Sequence, residues 1–180
     1  DIDLTDKTVV VEADKKRFEF VNKIVAEVEV TSIPSTTSFF FGCREASGSG
    51  RFSAMCITSK FGLGYGTQIV YEQDMTTGQH TIEIDNNVMT VDGVVVASAN
   101  AESFQNTRTM YIFAENNAGA LAHYFKYRLI SLKIYEGDVL QRHYRPCFDE
   151  EGVACAREKV NGEYIYTAGS GSFVAGGDAT

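Results

Sequence analysis

Apolar and polar residues alternate most regularly over residues 80–98, in three short runs separated by two pairs of turn-forming residues. These pairs, Asn86-Asn87 and Asp92-Gly93, tolerate the positive φ angles that tight hairpin turns require. If each turn contains two residues, three antiparallel strands form and six apolar side chains share one half-buried face. The cross-strand pairs predicted in this way are Ile84–Met89, Ile82–Val91, Val91–Val94 and Met89–Val96.

Other short strands are predicted along the chain. Residues 24–30 alternate apolar with polar, whereas residues 39–44 are apolar enough to be buried on both faces of a sheet. We expect residues 124–135 to form the longest strand, and residues 139–145 to return beside it until Pro146 ends the pairing. The list of predicted elements also includes strands at 8–12, 110–114 and 173–174, and a Gly/Asn loop at 115–120.

The pattern as a whole predicts an all-β protein. No segment of ten or more residues shows the 3.6-residue apolar period of a helix, and about a dozen short strands are typical of a sandwich or a barrel. Residues 61–66 alternate a large side chain with glycine, and a strand with one bare face leaves room for a ligand or another backbone. We predict one domain over residues 8–177, an N-terminal end or linker at 1–7 and a tail at 178–180.

Charge and hydropathy exclude two classes of partner. The formal net charge is −8 over 180 residues, whereas a sequence-independent nucleic-acid binder needs a basic face. No apolar run approaches the roughly 20 residues of a membrane helix, so membrane insertion is not expected. The sequence shows no signal peptide, and the start at Asp1 is expected for a mature or trimmed chain.

The four cysteines are Cys43, Cys56, Cys147 and Cys155. No pair has CxxC spacing, so a zinc site or a redox dithiol is not expected. Cys43 and Cys56 flank a Gly/Ser turn, and Cys147 and Cys155 flank a short acidic loop, so either pair could lie on neighbouring strands within reach of a disulfide. The favoured interpretation is four free thiols packed as small apolar groups.

The segment His80-Thr81-Ile82-Glu83-Ile84-Asp85, followed by Val91-Asp92-Gly93, resembles the LamG/pentraxin-like branch of the concanavalin A-like lectin/glucanase fold. In that branch the strand entering the meander often begins with His, and an Asp-Gly turn follows. Other matching segments are Phe41-Gly42-Cys43-Arg44, Gly50-Arg51-Phe52, Tyr111-Ile112-Phe113-Ala114, Leu132-Lys133-Ile134-Tyr135, Arg145-Pro146-Cys147, Val160-Asn161-Gly162, Tyr166-Thr167, residues 169–173 and Ala175-Gly176.

The resemblance covers about residues 9–177 and implies an antiparallel two-sheet β-sandwich of the jelly-roll type. It implies a LamG-like module of the kind found in surface proteins and prophage tail-associated proteins of gut Firmicutes. The chain departs from the family at two places. Glu115 stands where the family usually has Arg, and Ala156-Arg157-Glu158 stands where it usually has a Leu-Tyr-Asp run.

The same fold includes glycoside hydrolases of the laminarinase type, so an enzymatic function is one alternative. Those need Glu-x-Asp-x-x-Glu on one strand, so that two carboxylates flank the sugar bond. Glu83 and Asp85 fit the first two positions, but Val88 occupies the third. We therefore expect no enzyme and interpret Glu83 and Asp85 as a solvated sheet face. The three histidines show no spacing that favours a triad or a metal site.

A binding function agrees better with the aromatic and planar polar residues near strand ends, because sugar faces stack on rings and hydroxyls need planar partners. We predict a non-catalytic carbohydrate-binding, lectin-like module of a secreted, cell-surface or virion protein, whose partner is a glycan or cell-surface polysaccharide. The alternative is a structural or adhesion module that binds protein or self-assembles with other chains of a surface or phage-tail assembly. The candidate ligand-binding residues are Arg44, Tyr65, Tyr71, Arg108, Tyr111, Glu115, Asn116 and Asn117.

No cofactor is required by this hypothesis. Oxygen ligands on loops suit Ca²⁺, so Asn116, Asn117 and Asp92 are retained as candidate calcium ligands.

Overall fold

The computed structural model describes residues 2–3, 11–12, 21–46, 48–166 and 174–175, with side chains for residues 21–46 and 48–166. These residues form strands, turns and loops, and no helix occurs among them. In chain order the strands are β1 (Ile2–Asp3), β2 (Val11–Glu12), β3 (Lys23–Val30), β4 (Ser38–Arg44), β5 (Arg51–Ile57), β6 (Lys60–Gly66), β7 (Gln68–Asp74), β8 (Gly78–Asp85), β9 (Val88–Val91), β10 (Val94–Ser98), β11 (Tyr111–Ile112), β12 (Glu115–Asn117), β13 (Ala120–Ala122), β14 (Arg128–Glu136), β15 (Val139–Phe148), β16 (Ala154–Glu158), β17 (Tyr164–Ile165) and β18 (Val174–Ala175).

The strands form two sheets. The larger sheet has the order β10-β9-β8-β3-β14-β15-β16-β17, with β1 beside β14 and β18 beside β1. The smaller sheet has the order β13-β12-β4-β5-β6-β7, with β11 beside β4 and β2 beside β11. The described pairs are antiparallel apart from β12 and β4, which are parallel. The two sheets pack together, which confirms the all-β sandwich predicted from the sequence; its jelly-roll connectivity stays a prediction.

The core lies between the sheets and is built by alternation. In β3 every second residue is buried, and Ile24 and Val28 form one wall of the core together with apolar residues of β8 and β14, such as Ile84 and Leu129. The smaller sheet contributes aromatic residues, such as Phe40, whose ring centroid lies 4.3 Å from that of Tyr127. The Tyr127 hydroxyl is 2.8 Å from Ser38 Oγ, so its polar atom is satisfied inside the core.

The meander at residues 80–98 agrees with the predicted register in its first hairpin. Ile82 opposes Val91 and Ile84 opposes Met89, and positive φ angles occur at Asn86, Asp92 and Gly93. The second hairpin differs, because a β-bulge between Val95 and Ala97 places Ala97, not Val96, opposite Met89. Both Val96 and Ala97 are buried as a result, whereas Val94 is 59% exposed instead of lying in the core.

The prediction of one strand at residues 110–114 followed by a loop is wrong. Phe113 has a φ of 60°, which turns the chain after β11. β11 runs antiparallel to β4, whereas β12, after the turn, runs parallel to it. Residues 115–122 then form the hairpin of β12 and β13, whose turn is made by Ala118 and Gly119, both at positive φ.

Other predicted boundaries also move. β15 continues past Pro146 to Phe148 and, at ten residues, is longer than β14. Beyond Tyr144 the described strands pair with β15 on the β16 side alone, so Pro146, which has no N–H to donate, interrupts no pairing with β14. Ile2–Asp3, inside the predicted N-terminal linker, is a strand paired with β14 and β18. Residues 4–10, 173 and 176–180 lie outside the described part of the chain.

Candidate ligand-binding face

The outward side of the smaller sheet carries a row of residues with little or no side chain. Directly opposed residues of neighbouring strands share a face, so the register of β11, β4, β5, β6 and β7 defines the row. We call it the glycine row, and strands about 4.8 Å apart make it roughly 19 Å long. Its members, in spatial order, are Tyr111, Gly42, Ser53, Gly64 and Ile69.

The centre of the glycine row is closed by neighbouring side chains. The ring of Phe39 lies over Gly42, with Cδ1 2.7 Å from the position that a Cβ atom would take there. Met55 lies over Gly64 in the same way, with Cε 2.9 Å from the corresponding position. Phe39 and Met55 are both buried although they belong to the outward side of the sheet. The glycines therefore allow large side chains to lie flat, and the row has no open groove at its centre.

Ser53 lies between the two glycines and is buried. Its Oγ atom has no hydrogen-bond partner among the described residues. Burying an unpaired hydroxyl costs about 1–3 kcal/mol, so the face carries an uncompensated polar atom at its centre.

Two arginines converge at one end of this face. Arg44 ends β4 and Arg51 begins β5, so they flank the turn at residues 45–50. Arg51 Nη2 and Arg44 Nη1 lie 2.9 and 3.4 Å from the position where a side chain at Gly48 would begin. Glu115, from the parallel neighbour β12, places Oε1 2.9 Å from Arg44 Nε. We call Arg44, Arg51 and Glu115 the arginine cluster.

The arginine cluster has one carboxylate for two guanidinium groups. Arg51 Nη1 donates a hydrogen bond to Thr67 O at 3.3 Å, but among the described residues no carboxylate pairs with it. Burial lowers the pKa of Arg51, and the positive charge of Arg44 lowers it further, while Glu115 opposes both effects. The cluster is thus a region of local positive charge on a chain whose net charge is −8.

Glu115 is itself electrostatically unusual. Its side chain is buried, and burial raises its pKa above the ordinary value of 4.5. Attraction to Arg44, His123 and Arg51 favours the ionised form, but it offsets only part of the burial effect. His123 Nε2 lies 3.6 Å from Glu115 Oε2, so a second titratable group borders the cluster.

A loop of residues 105–108 holds the turn beside the cluster in place. The Glu45 carboxylate accepts hydrogen bonds from Thr107 N at 2.8 Å and from Arg108 Nε at 3.0 Å. Asn106 Nδ2 donates to Gly50 O, and Arg108 Nη1 lies 3.5 Å from the position of a Cβ atom at Gly119. These contacts fix the backbone from which both guanidinium groups of the cluster extend.

The structure brings together only some of the residues predicted to bind ligand. Arg44 and Glu115 form an ion pair, Arg108 lies in the adjoining loop, and Tyr111 shares the same face as the first member of the glycine row. Tyr71 also lies on this face, opposite Gly62 on the far strand β7, and is 40% exposed. Arg44 and Tyr71 therefore mark the two ends of one surface.

The remaining predicted residues are placed in different ways. Asn116 is buried, where its Nδ2 donates to Thr109 O and its Oδ1 accepts from Gly119 N. Asn117 opposes Arg44 in the parallel pair of β12 and β4, so it shares the face of Arg44. Tyr65 lies on the inward side of β6 and packs edge-on against Phe104, with ring centroids 4.9 Å apart.

Arg51 and Ser53 are not among the residues predicted from the sequence. The signal for Arg51 was present, because a hairpin between residues 39–44 and 52–58 brings the two ends of its turn together. Ser53 gives no such signal, since its place between Gly42 and Gly64 follows only from the strand register.

The carboxylates considered for hydrolysis lie on the outward side of the larger sheet. Lys23 Nζ is 2.7 Å from Glu83 Oε1 and 3.8 Å from Asp85 Oδ2, and Val88 opposes Asp85. Their placement on a solvated face agrees with the sequence interpretation. His80 Nδ1 lies 2.8 Å from Asp92 Oδ2 and packs against Phe61, so it fastens the Asp-Gly turn to the sheet.

The candidate calcium ligands are not gathered in one place. Asp92 belongs to the β9–β10 turn of the larger sheet, where Oδ1 accepts a hydrogen bond from Thr81 N, whereas Asn116 and Asn117 belong to the smaller sheet. Among the described residues, no group of three or more His, Cys, Asp or Glu side chains is arranged to hold a metal ion.

Comparison of the chain with protein-family models, curated proteins and solved structures gives no match. In the described residues there is also no helix with the length and apolar character needed to cross a bilayer.

Proposed function

We propose that the protein is a non-catalytic, lectin-like module that binds a glycan at the arginine cluster, and that the glycan carries carboxylate groups. The observation that carries the proposal is the convergence of two guanidinium groups on Gly48, of which Arg44 alone is paired with a carboxylate among the described residues. Two like charges held together are unfavourable for the free protein, and such arrangements are enriched at binding sites.

The chemistry of the cluster favours a carboxylate as the bound group. A guanidinium offers a planar pair of N–H donors that matches a carboxylate, and such charge-assisted bonds are about twice as strong as neutral ones. The half-buried ring of Tyr111, on the same face of the smaller sheet, supplies a surface on which a sugar ring stacks. A uronic-acid polymer combines both features, because it repeats carboxylates along a chain of sugar rings.

The family resemblance supports the same function. The resemblance of the sequence to LamG-type modules implies a non-catalytic binding module, and the β-sandwich fold of this chain is compatible with it. The position of Glu83 and Asp85 beside Lys23, with Val88 in place of a third carboxylate, supports a non-catalytic role. We further propose that the module belongs to a secreted, cell-surface or virion protein.

The proposal is tested by binding to polygalacturonate and to the same polymer after its carboxyl groups have been reduced to alcohols. Calorimetry and affinity gels should show binding to the first polymer and at least tenfold weaker binding to the second. The Arg51→Gln variant should lose about tenfold in affinity, since it removes one charged donor. Arg157→Gln is the matched control, because Arg157 lies over the Tyr164 ring on the larger sheet.

The outcomes separate the parts of the proposal. Equal binding to both polymers would support glycan recognition but reject a carboxylate as the group that the cluster binds. Equal losses in Arg51→Gln and Arg157→Gln would reject the arginine cluster as the site. An absence of binding to these polymers and to a panel of neutral polysaccharides would reject the carbohydrate function itself.

A structural or adhesion module is the second candidate, and exposed apolar residues on an edge strand favour it. β10 ends the larger sheet, and Val94 and Val95 are 59% and 58% exposed. Apolar edge strands pair with other chains unless they are protected. If this second function is correct, sedimentation velocity should show oligomers of the wild-type protein, and the Val95→Lys variant should be a monomer. If it is not correct, the wild-type protein should be a monomer at all concentrations.

A further inference from the structure

Two of the four cysteines lie in contact across a hairpin of the larger sheet. Cys147 of β15 directly opposes Cys155 of β16, and their Sγ atoms are 3.3 Å apart. Opposed residues of antiparallel strands have Cα atoms about 4.5 or 5.5 Å apart, and both separations lie in the range that disulfides span. A small change in side-chain torsion is therefore sufficient to join the two sulfur atoms.

The other pair cannot be joined. Cys43 opposes Phe52, whereas Cys56 opposes Ser38 at the other end of the same hairpin. Four residues of extended strand separate the two positions, which corresponds to roughly 13 Å. Of the two pairings that the sequence left open, the structure therefore permits only the one between β15 and β16.

The turn between the paired cysteines is rigid. Asp149 Oδ1 accepts hydrogen bonds from Glu151 N and Val153 N, and Asp149 N donates to Val153 O at 3.0 Å. Tyr166 Oη donates to Asp149 Oδ2 at 2.7 Å and fastens the turn to the chain that follows β17. Because the turn holds the strand ends in register, the two thiols stay opposed without help from a covalent bond.

We infer that Cys147 and Cys155 form a disulfide when the protein meets an oxidising environment, and that this bond locks the β15–β16 hairpin. The oxidant is a small disulfide such as oxidised glutathione. The thiolate of Cys147 attacks one sulfur of the oxidant, forms a mixed disulfide and releases one glutathione thiolate. Cys155 then attacks the Cys147 sulfur and passes its proton to the second glutathione, which leaves as a thiol, so two thiols are oxidised and one disulfide is reduced.

The order of attack follows from exposure. Cys147 is half-buried and reaches solvent, whereas Cys155 is fully buried. Burial raises the pKa of Cys155 to about 12, and the adjacent Cys147 contributes to the increase. Cys147 is therefore the thiol that an external disulfide meets first.

The inference is tested on the intact wild-type protein by counting thiols. After incubation with oxidised glutathione, the protein is denatured and alkylated, and its peptides are analysed by mass spectrometry. We expect alkylation at Cys43 and Cys56 only, a peptide linked through Cys147 and Cys155, and a Tm that falls by roughly 5–10 °C on reduction. Alkylation of all four cysteines, or a link that involves Cys43 or Cys56, would overturn the inference.

Two variants resolve the mechanism. Cys155→Ser should trap one glutathione on Cys147, because the second step is blocked. The double variant Cys43→Ser/Cys56→Ser should keep both the linked peptide and the redox-dependent Tm. A Cys155→Ser protein that takes up no glutathione would contradict the proposed order of attack, although the thiol count of the wild-type protein stands independently of it.

Discussion

The outward sides of the two sheets are built in different ways. On the larger sheet, Lys23 pairs with Glu83, and Arg128 Nη1 lies 2.9 Å from Glu29 Oε2, so that charged side chains stand in solvent as paired ions. On the smaller sheet the corresponding side carries Gly42, Ser53 and Gly64, with large side chains lying flat over them.

The difference shows which face is restricted by packing. Exposed ion pairs contribute about 0–1 kcal/mol each and tolerate substitution. A glycine covered by large side chains does not tolerate substitution, because any atom added to it would clash with a neighbour that has no space to move. We therefore expect substitutions on the smaller sheet to have larger effects than substitutions on the larger sheet, and ligand binding to be confined to the smaller one.

The largest effect is expected for Gly42→Ala. A Cβ atom at this position would lie 2.5 Å from Ser53 Cβ and 2.7 Å from Phe39 Cδ1. Ser53 Cβ is fixed by the backbone and cannot rotate away, so the free energy of unfolding should fall by about 3 kcal/mol. Denaturant titration measures the change, and Lys133→Ala on the larger sheet, expected within about 0.5 kcal/mol of wild type, is the control. Equal effects of the two substitutions would contradict the comparison.

The second effect is on the pH dependence of ligand affinity, through the protonation of Glu115. Burial raises the pKa of Glu115 above its ordinary value of 4.5, so its carboxylate takes up a proton at a higher pH than an exposed glutamate does. Once it is protonated, Arg44 and Arg51 have no counter-charge from Glu115. Affinity for a carboxylated glycan should therefore rise severalfold as pH falls from 7 towards that pKa, while a sugar carboxylate stays ionised to about pH 4.

Glu115→Gln should bind tightly already at pH 7 and show a flat profile. The measurement is calorimetry at several pH values, made in the His123→Gln background because His123 Nε2 lies 3.6 Å from the Glu115 carboxylate. The corresponding change on the larger sheet, Glu83→Gln, should leave binding unaltered. Affinity that falls with decreasing pH would contradict this account of the cluster.

A smaller effect distinguishes two buried serines on the two faces. Ser53 Oγ has no hydrogen-bond partner in the described part of the chain, whereas Ser131 Oγ lies 3.2 Å from His143 Nε2. Ser53→Ala should leave the free energy of unfolding unchanged or raise it by up to about 1 kcal/mol. Ser131→Ala should lower it by about 1 kcal/mol. The comparison fails if Ser53→Ala proves the more damaging of the two in denaturant titrations.

The smallest effect is expected for Glu83→Gln. Lys23 and Glu83 are 2.7 Å apart, but both side chains are nearly one third exposed. The substitution should lower the free energy of unfolding by less than about 0.5 kcal/mol, and added salt should remove the difference. A larger loss that persists in high salt would show that this face, too, is restricted by packing.

The same contrast explains why the sequence predicts the strands and faces of the larger sheet better than those of the smaller sheet. The strands of the larger sheet follow from alternation, as in β3, because one side is apolar and the other is charged. The smaller sheet has apolar or small residues on both sides, so alternation does not reveal its faces. A β-bulge between Phe39 and Phe41 also changes which residues of β4 point outward.

The candidate site was predictable only in part. Arg44, Tyr111 and Glu115 were identified from residue type near strand ends, but the turn at Phe113 that brings Glu115 beside Arg44 has no signal in composition. Tyr65 and Tyr71 were grouped together, yet they lie on opposite sides of the smaller sheet. Separating them requires the register, since a shift of one residue reverses the face.

The most direct test of the account is a titration of the ¹⁵N-labelled protein with a soluble oligogalacturonide, followed by backbone amide chemical shifts. We predict that the shifts that change with ligand fall in residues 42–53, 64–71 and 111–117, which carry the arginine cluster and the glycine row. Changes confined to residues 23–29, 79–85 and 131–135, on the outward side of the larger sheet, or no change at any concentration, would contradict it.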